Sequence, residues 1–90
     1  MNQLEMARGK IDQIDKELVE LLEKRLEAVA QVVQYKIVHQ LPVLDNKRQE
    51  DLLEKIAYSI NNKTYQETIL ETFKDIMKHS REFQNKQMEG

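Results

Sequence analysis

Cysteine is absent from this chain, and glycine and proline are scarce. Without cysteine, neither a disulfide bridge nor a thiolate metal site can form. Two glycines and one proline leave little material for tight turns, whereas Glu, Lys, Gln and Leu are abundant. This composition predicts an all-helical fold, and a length of 90 residues predicts a single domain over residues 1–90.

A surplus of charge and a long hydrophobic run are also missing. The formal net charge is −2, and basic residues are interspersed with acidic ones instead of clustering as in a nucleic-acid-binding surface. Residues Met1–Glu5 contain no apolar signal region, and no apolar stretch is long enough to span a membrane. We therefore expect a cytoplasmic protein that binds neither nucleic acid nor a membrane.

Hydrophobic periodicity predicts three helices. The first extends from about Leu4 to His39, and Pro42 in the following linker disfavours helix just before it. The second helix opens at Asp45, whose side chain is a favoured N-cap, and stops near Asn61-Asn62.

The third helix is predicted to begin with a capping box, formed by Thr64 and by Glu67 three residues later. It runs to about Lys86. The tail that follows, Gln87–Gly90, is expected to fray.

The first helix is too long for a compact globule of this size. At about 1.5 Å per residue, its roughly 35 residues would extend about 50 Å. A compact chain of this length has a diameter of only about 30 Å. The protruding half of the helix needs a second copy of the chain to cover it. We expect an intertwined homodimeric helical bundle in which the first helices of two protomers pair; a plain antiparallel coiled coil is the alternative.

The apolar stripe of the first helix is interrupted by basic residues. Arg25 and Lys36 lie near the middle of the stripe, within about 40° of apolar positions, and Arg8 lies at its edge. A buried cation without a partner is strongly disfavoured, so these side chains imply an anion in the interior. Because the chain offers few inward carboxylates, this anion is expected to be a ligand. The apolar members of the stripe are Ile11, Ile14, Leu18, Leu22, Val29 and Val32.

Polar residues of the other two helices share this interior. Ser80 and Gln84 replace apolar residues on the inward face of the third helix and project together. Asp45, Arg48 and Gln49 stand at the start of the second helix, where free backbone amides favour anions. Together with the cations of the first helix, they form a candidate anion-binding site.

Several of these residues also have an ordinary structural explanation. Arg25 fits a salt bridge to Glu54, and Lys36 fits a side chain that reaches solvent from a helix end. His39 and His79 have no ligating neighbours at suitable spacing, so no metal site is predicted. The joint pattern favours a ligand site over these separate explanations.

The order of these residues resembles the all-helical class of chorismate mutases over essentially the full chain. The resemblance begins with the spacing R-x16-R-x10-K in the first helix, followed by the proline of the linker. It continues with a D-x-x-R element in the second helix and an S-x-x-x-Q element in the third. Each element is weak alone, but the combination in this order is specific. The matching stretches contain Arg8, Ile11, Ile14, Asp15, Leu21, Leu22, Arg25, Val32, Lys36, Pro42, Val43, Asp45–Arg48 and Ser80–Gln84.

The resemblance implies an isomerase that converts chorismate to prephenate by a Claisen-type rearrangement, on the route to phenylalanine and tyrosine. Such enzymes need no cofactor and are homodimers with shared active sites. By position, Arg8 matches the arginine that reaches into the partner's site to bind a substrate carboxylate. Arg25 matches the residue that binds the other carboxylate, while Lys36 and Gln84 match donors to the ether oxygen. Arg25, Lys36 and Gln84 are the predicted catalytic residues.

The second and third helices supply the remaining substrate contacts in this resemblance. Arg48 and Ser80 match residues that support carboxylate binding, and Asp45 matches one near the ring hydroxyl. Gln49 departs from the family pattern, because many relatives carry glutamate there as an acceptor for the ring hydroxyl. A neutral amide can still accept through its carbonyl oxygen, so we expect Gln49 to keep a substrate contact.

Three alternatives remain open at this stage. Isochorismate pyruvate lyases use a similar helical scaffold and the same cations. Regulatory domains that bind chorismate or prephenate, attached to the enzyme that opens the shikimate pathway, share the fold. A helical interaction module, in contrast, would bind no small dianion.

Overall fold

The computed structural model describes residues 2–89, most of which are helical. Helix α1 comprises Gln3–His39, α2 comprises Asn46–Ser59, and α3 comprises Gln66–Glu89. A short 3₁₀ turn, Lys63–Tyr65, precedes α3. The described residues contain no β-strand, and the predicted all-α fold with a long first helix is confirmed.

Side chains cap the N-termini of the first two helices. Asn2 precedes α1, and its Oδ1 accepts a hydrogen bond from Glu5 N at 2.8 Å. Asp45 caps α2, as predicted, because its Oδ1 accepts from Arg48 N at 3.0 Å. Each cap satisfies a backbone donor that has no partner within its helix.

The start and end of α3 differ from the prediction. Asn62, not Thr64, supplies the cap, since its Oδ1 accepts from Thr64 N at 3.0 Å and opens the 3₁₀ turn that leads into α3. In the predicted capping box the Glu67 side chain would accept from Thr64 N. Asn62 accepts from this amide instead, and Thr64 lies within the turn. The helix also continues to Glu89 instead of fraying after Lys86, because glutamine, methionine and glutamate are good helix formers. Gly90 lies outside the described residues.

The C-terminus of α1 is closed by a left-handed residue. Gln40 has φ 55° and ψ 44°, and its N–H donates to Ile37 O at 3.3 Å. Leu41 N donates to Lys36 O at 2.9 Å, which completes a Schellman motif. Pro42 follows in a position where it cannot continue the helix. The chain therefore turns sharply and brings the linker back beside the end of α1.

Helix α3 is the central element of the fold. It packs against both α1 and α2, whose backbones do not approach each other closely. Among the described apolar residues, Val33 is 1% exposed and Met77 is 6% exposed, and no others are buried. The described chain is elongated, with a radius of gyration of 16.3 Å, whereas a compact chain of this length has about 12 Å. A single chain therefore lacks a core of ordinary size.

The N-terminal half of α1 carries an uncovered apolar surface. Every described residue from 2 to 24 is exposed, and Ile14 and Leu18 are 53% and 47% exposed. Exposed apolar side chains along such a length of helix are typical of an interaction site. No helix among the described residues is both long and apolar enough to cross a membrane. The other large apolar side chains of this N-terminal apolar face are Leu4, Ile11, Val19, Leu21 and Leu22.

Candidate active site

A pocket of about 160 Å³ lies where α3 faces the C-terminal half of α1 and the start of α2. All three helices and the linker contribute to its wall, so the pocket forms only when the complete chain has folded. Its polar wall consists of Arg25, Lys36, Asp45, Arg48, Gln49, Ser80, Arg81 and Gln84. Its apolar wall consists of Val29, Val32, Val43, Leu52 and Met77.

The guanidinium group of Arg25 lines this pocket and has no partner among the described residues. Its Nη1 atom is buried and forms no hydrogen bond with the described residues. A salt bridge to Glu54, the structural alternative, is absent from the ion pairs of the described chain, and Glu54 lines a different pocket. A buried donor without a partner costs about 1–3 kcal/mol, and a charged group costs more. Arg25 therefore has a buried donor that can bind a ligand anion.

Lys36 and Gln84 form a hydrogen-bonded pair on the pocket wall. Lys36 Nζ donates to Gln84 Oε1 and to Val43 O, each at 3.0 Å. An ammonium group has three N–H donors, so one donor remains for a ligand. Lys36 cannot accept a hydrogen bond, which fixes the Gln84 amide with Oε1 toward the lysine and leaves Nε2 as its free donor. Gln84 is 8% exposed and Lys36 is half-buried, so the bond between them is partly shielded from water.

The start of α2 supplies a cation, a carboxylate and an amide. Arg48 is exposed at the rim of the pocket, whereas Gln49 is half-buried. Asp45 uses Oδ1 for the helix cap, which leaves Oδ2 available to a ligand. The free amides of a helix N-terminus carry partial positive charge, and together with Arg48 they favour an anion.

Helix α3 adds a hydroxyl and a further cation. Ser80 is 7% exposed and lines the pocket. The next residue, Arg81, is half-buried and donates from Nη1 to Gln49 Oε1 at 2.7 Å. The sequence pattern assigns Arg81 no functional role, because helical periodicity places it beside the inward face and an arginine there is normally solvated. Its position directly after Ser80 was the available signal.

The pocket gathers every site residue singled out from the sequence except Arg8. This arginine is exposed in the N-terminal half of α1. Along the helix it lies about 42 Å from Lys36, at about 1.5 Å per residue. The two side chains of one chain therefore cannot contact the same small ligand.

Cations and neutral donors dominate the pocket. Its lining includes Asp45 as the one carboxylate and contains no histidine, cysteine or tyrosine. The described residues form no cluster of three or more potential metal ligands. Such a wall can hold a small molecule with more than one anionic group and can stabilise negative charge that develops within it. Fold and site together define an all-helical protein with a pocket suited to a small polyanion.

Comparisons with known proteins identify the family of this chain. The sequence model of chorismate mutase type II matches residues 7–85, and the chain belongs to that family. The solved structure of chorismate mutase (form II) from Thermus thermophilus is similar, with a TM-score of 0.87 and 27% sequence identity. That match covers 96% of this chain and 98% of the other. No curated protein matches this sequence.

These findings confirm the resemblance that the sequence suggested, together with the predicted function and enzyme class. The chain has the family and fold of chorismate mutase, an isomerase. The lyase, regulatory and interaction-module alternatives are not favoured.

Proposed function

We propose that this pocket converts chorismate to prephenate, on the route to phenylalanine and tyrosine, in a cytoplasmic homodimer. The observation that carries the proposal is the buried, unpartnered Nη1 atom of Arg25 in a pocket that also contains Lys36 and Arg48. Cations that share a small pocket repel one another until an anion binds between them. Chorismate supplies two carboxylates, and its ether oxygen gains negative charge during the rearrangement.

Substrate binding is the first task of the site. Arg25 is assigned to one carboxylate, with Arg48 and the Ser80 hydroxyl supporting carboxylate binding from α2 and α3. Chorismate is flexible, and the rearrangement requires a compact chair in which the two reacting ends meet. Fixing both carboxylates restricts the substrate to that shape, which is how positioning lowers a barrier.

Stabilisation of the ether oxygen is the second task. The bond between carbon and oxygen breaks ahead of the new bond between carbons, so negative charge grows on this oxygen. The remaining N–H of Lys36 and the Nε2 donor of Gln84 are assigned to it. Because each side chain is already held by the other at 3.0 Å, the donors need little reorganisation when the charge appears. The reaction requires neither a nucleophile nor a proton transfer, and none is assigned to the pocket.

The apolar wall strengthens both tasks. Val29 and Val32 of α1, Leu52 of α2 and Met77 of α3 line the same pocket. Side chains of this kind exclude water, and electrostatic interactions are stronger where water is excluded. The same wall accommodates the carbon skeleton of the substrate ring.

The homodimer completes the site in this proposal. The N-terminal apolar face of α1 is uncovered in one chain, and few apolar residues are buried elsewhere. Pairing two copies through this face supplies the missing core. It also carries Arg8 of one chain toward the pocket of the other, where Arg8 binds a substrate carboxylate. Light scattering on the purified chain should give twice the mass of one chain.

A chorismate-depletion assay tests the proposed reaction. The purified chain should consume chorismate and release prephenate in equal amounts, and Arg25→Met should abolish most of this activity. Lys24→Met, a change of an exposed cation beside it on α1, should leave the rate unchanged. Release of pyruvate from isochorismate without chorismate turnover would identify a lyase. Thermal stabilisation by chorismate without turnover would identify a regulatory domain. If chorismate is neither turned over nor stabilises the chain, the protein is an interaction module.

A further inference from the structure

Gln49 and Arg81 form a second glutamine–cation pair on the pocket wall. Arg81 Nη1 donates to Gln49 Oε1 at 2.7 Å, between α3 and α2. This distance is short for a hydrogen bond from nitrogen to oxygen and is typical of a charge-assisted bond. Both residues line the pocket and both are half-buried.

The partner determines which way the Gln49 amide faces. A guanidinium group has five N–H donors and no acceptor. A reversed amide would place its own N–H groups against the cation and lose the bond. Gln49 therefore keeps Oε1 on Arg81, and the group on the side of the amide away from the arginine is the Nε2 donor. The same logic orients Gln84 through Lys36.

Asp45 supplies the complementary group one helical turn earlier. Gln49 N donates to Asp45 O at 3.1 Å, so the two residues are i, i+4 neighbours on one face of α2. Asp45 Oδ1 is engaged in the helix cap, while Oδ2 remains an acceptor. A hydroxyl group is both a donor and an acceptor. The acceptor of Asp45 and the donor of Gln49 together match the donor and the acceptor of one hydroxyl group.

We propose that Arg81 is a positioning residue that holds Gln49 so that its Nε2 atom donates to the ring hydroxyl oxygen of the substrate. Asp45 Oδ2 accepts the hydroxyl proton. This inference rests on the proposed function, and it reverses the expected role of Gln49 as an acceptor. In this chain the arginine–glutamine pair gives the site specificity for a hydroxylated ring.

The test compares binding of chorismate with binding of its analogue that lacks the ring hydroxyl. The Michaelis constant is measured for chorismate and the competitive inhibition constant for the analogue. The preference for chorismate is the inhibition constant divided by the Michaelis constant. Arg81→Met should reduce the preference for chorismate by about tenfold, the effect of about one hydrogen bond, with kcat within about threefold of the parent value. Arg81→Lys retains a donor and should recover most of the preference. Lys78→Met, an exposed cation on the same helix, should leave the preference unchanged.

A double-mutant cycle separates positioning from direct contact. Gln49→Ala should lower the preference as much as Arg81→Met, and the double variant should be no worse than either single variant. Additive losses would show that Arg81 binds the substrate itself and would overturn the proposal. If Arg81→Met weakens the binding of both molecules equally and leaves the preference unchanged, the proposal is also overturned and Arg81 has a structural role. A parent protein that turns over no chorismate would instead refute the proposed function.

Discussion

Lys36 and Gln84 are separated by 48 positions in the sequence, yet Lys36 Nζ and Gln84 Oε1 lie 3.0 Å apart. The contact joins the last turn of α1 to the C-terminal half of α3. The backbone carbonyl of Val43 accepts a second bond from the same ammonium at 3.0 Å, so the linker also contributes to the position of the lysine. The side chain assigned to the developing charge is thus fixed by three separate parts of the chain.

Replacement of Lys36 by methionine should remove most of the activity while keeping the fold. Methionine fills similar space on the apolar stripe, but the charge assigned to the ether oxygen is lost. Loss of one preorganised donor costs about 10²–10³ in kcat. Steady-state kinetics and circular dichroism on Lys36→Met test this directly. A rate within about tenfold of the parent, or about 1.4 kcal/mol in barrier, would remove Lys36 from the proposed role.

Replacement of Gln84 by glutamate should create a dependence on pH. The parent amide donates at every pH, so its rate should be flat from mildly acidic to mildly basic conditions. A carboxyl group donates only when protonated, and Gln84→Glu should therefore be faster at low pH and slower as pH rises. Gln87→Glu, an exposed change on the same helix, should keep the flat profile. If Gln84→Glu also remains flat, Gln84 does not contact the ether oxygen.

Replacement of Gln40 by glycine should stabilise the protein. A side chain in the left-handed region is strained, whereas glycine adopts φ 55° without strain. Some of this gain is offset by the greater freedom of glycine in the unfolded chain. We expect the free energy of unfolding to rise by about 0.5–1 kcal/mol, measured by urea denaturation at fixed protein concentration. Gln34→Gly, within α1, should lower it by about 1 kcal/mol, and a loss in both variants would contradict the argument.

Helix positions could be predicted from the sequence because periodicity and capping act locally. The Asp45 cap follows from residue type, and Pro42 marks the linker without any tertiary information. The Thr64 cap was wrong because Asn62 accepts from the Thr64 amide, which in the predicted capping box would donate to the Glu67 side chain. Such competition depends on backbone angles that residue type alone does not determine.

The composition of the candidate site was predictable to a similar degree, but its internal bonds were not. Arg25 and Lys36 were visible because each interrupts an apolar stripe. Arg81 was missed because an arginine beside a stripe is usually solvated, and only the packing of α3 against α2 brings it to Gln49. Contacts between distant segments depend on packing angles, which a single sequence does not contain.

Sharing of the site between subunits gives the most decisive prediction. Arg8 and Lys36 are about 42 Å apart along one helix, so in the proposed dimer each pocket combines Lys36 of one chain with Arg8 of the other. Arg8→Ala and Lys36→Ala should each be nearly inactive alone. The two variants are then unfolded together and refolded as an equal mixture. About half of the dimers should contain one chain of each variant, and each such dimer has one intact site, so about a quarter of the parent activity should return. An equal mixture of Arg25→Ala and Lys36→Ala should recover nothing, because both residues line the pocket of the same chain. If mass spectrometry confirms mixed dimers of the first pair but no activity returns, the shared-site arrangement is wrong.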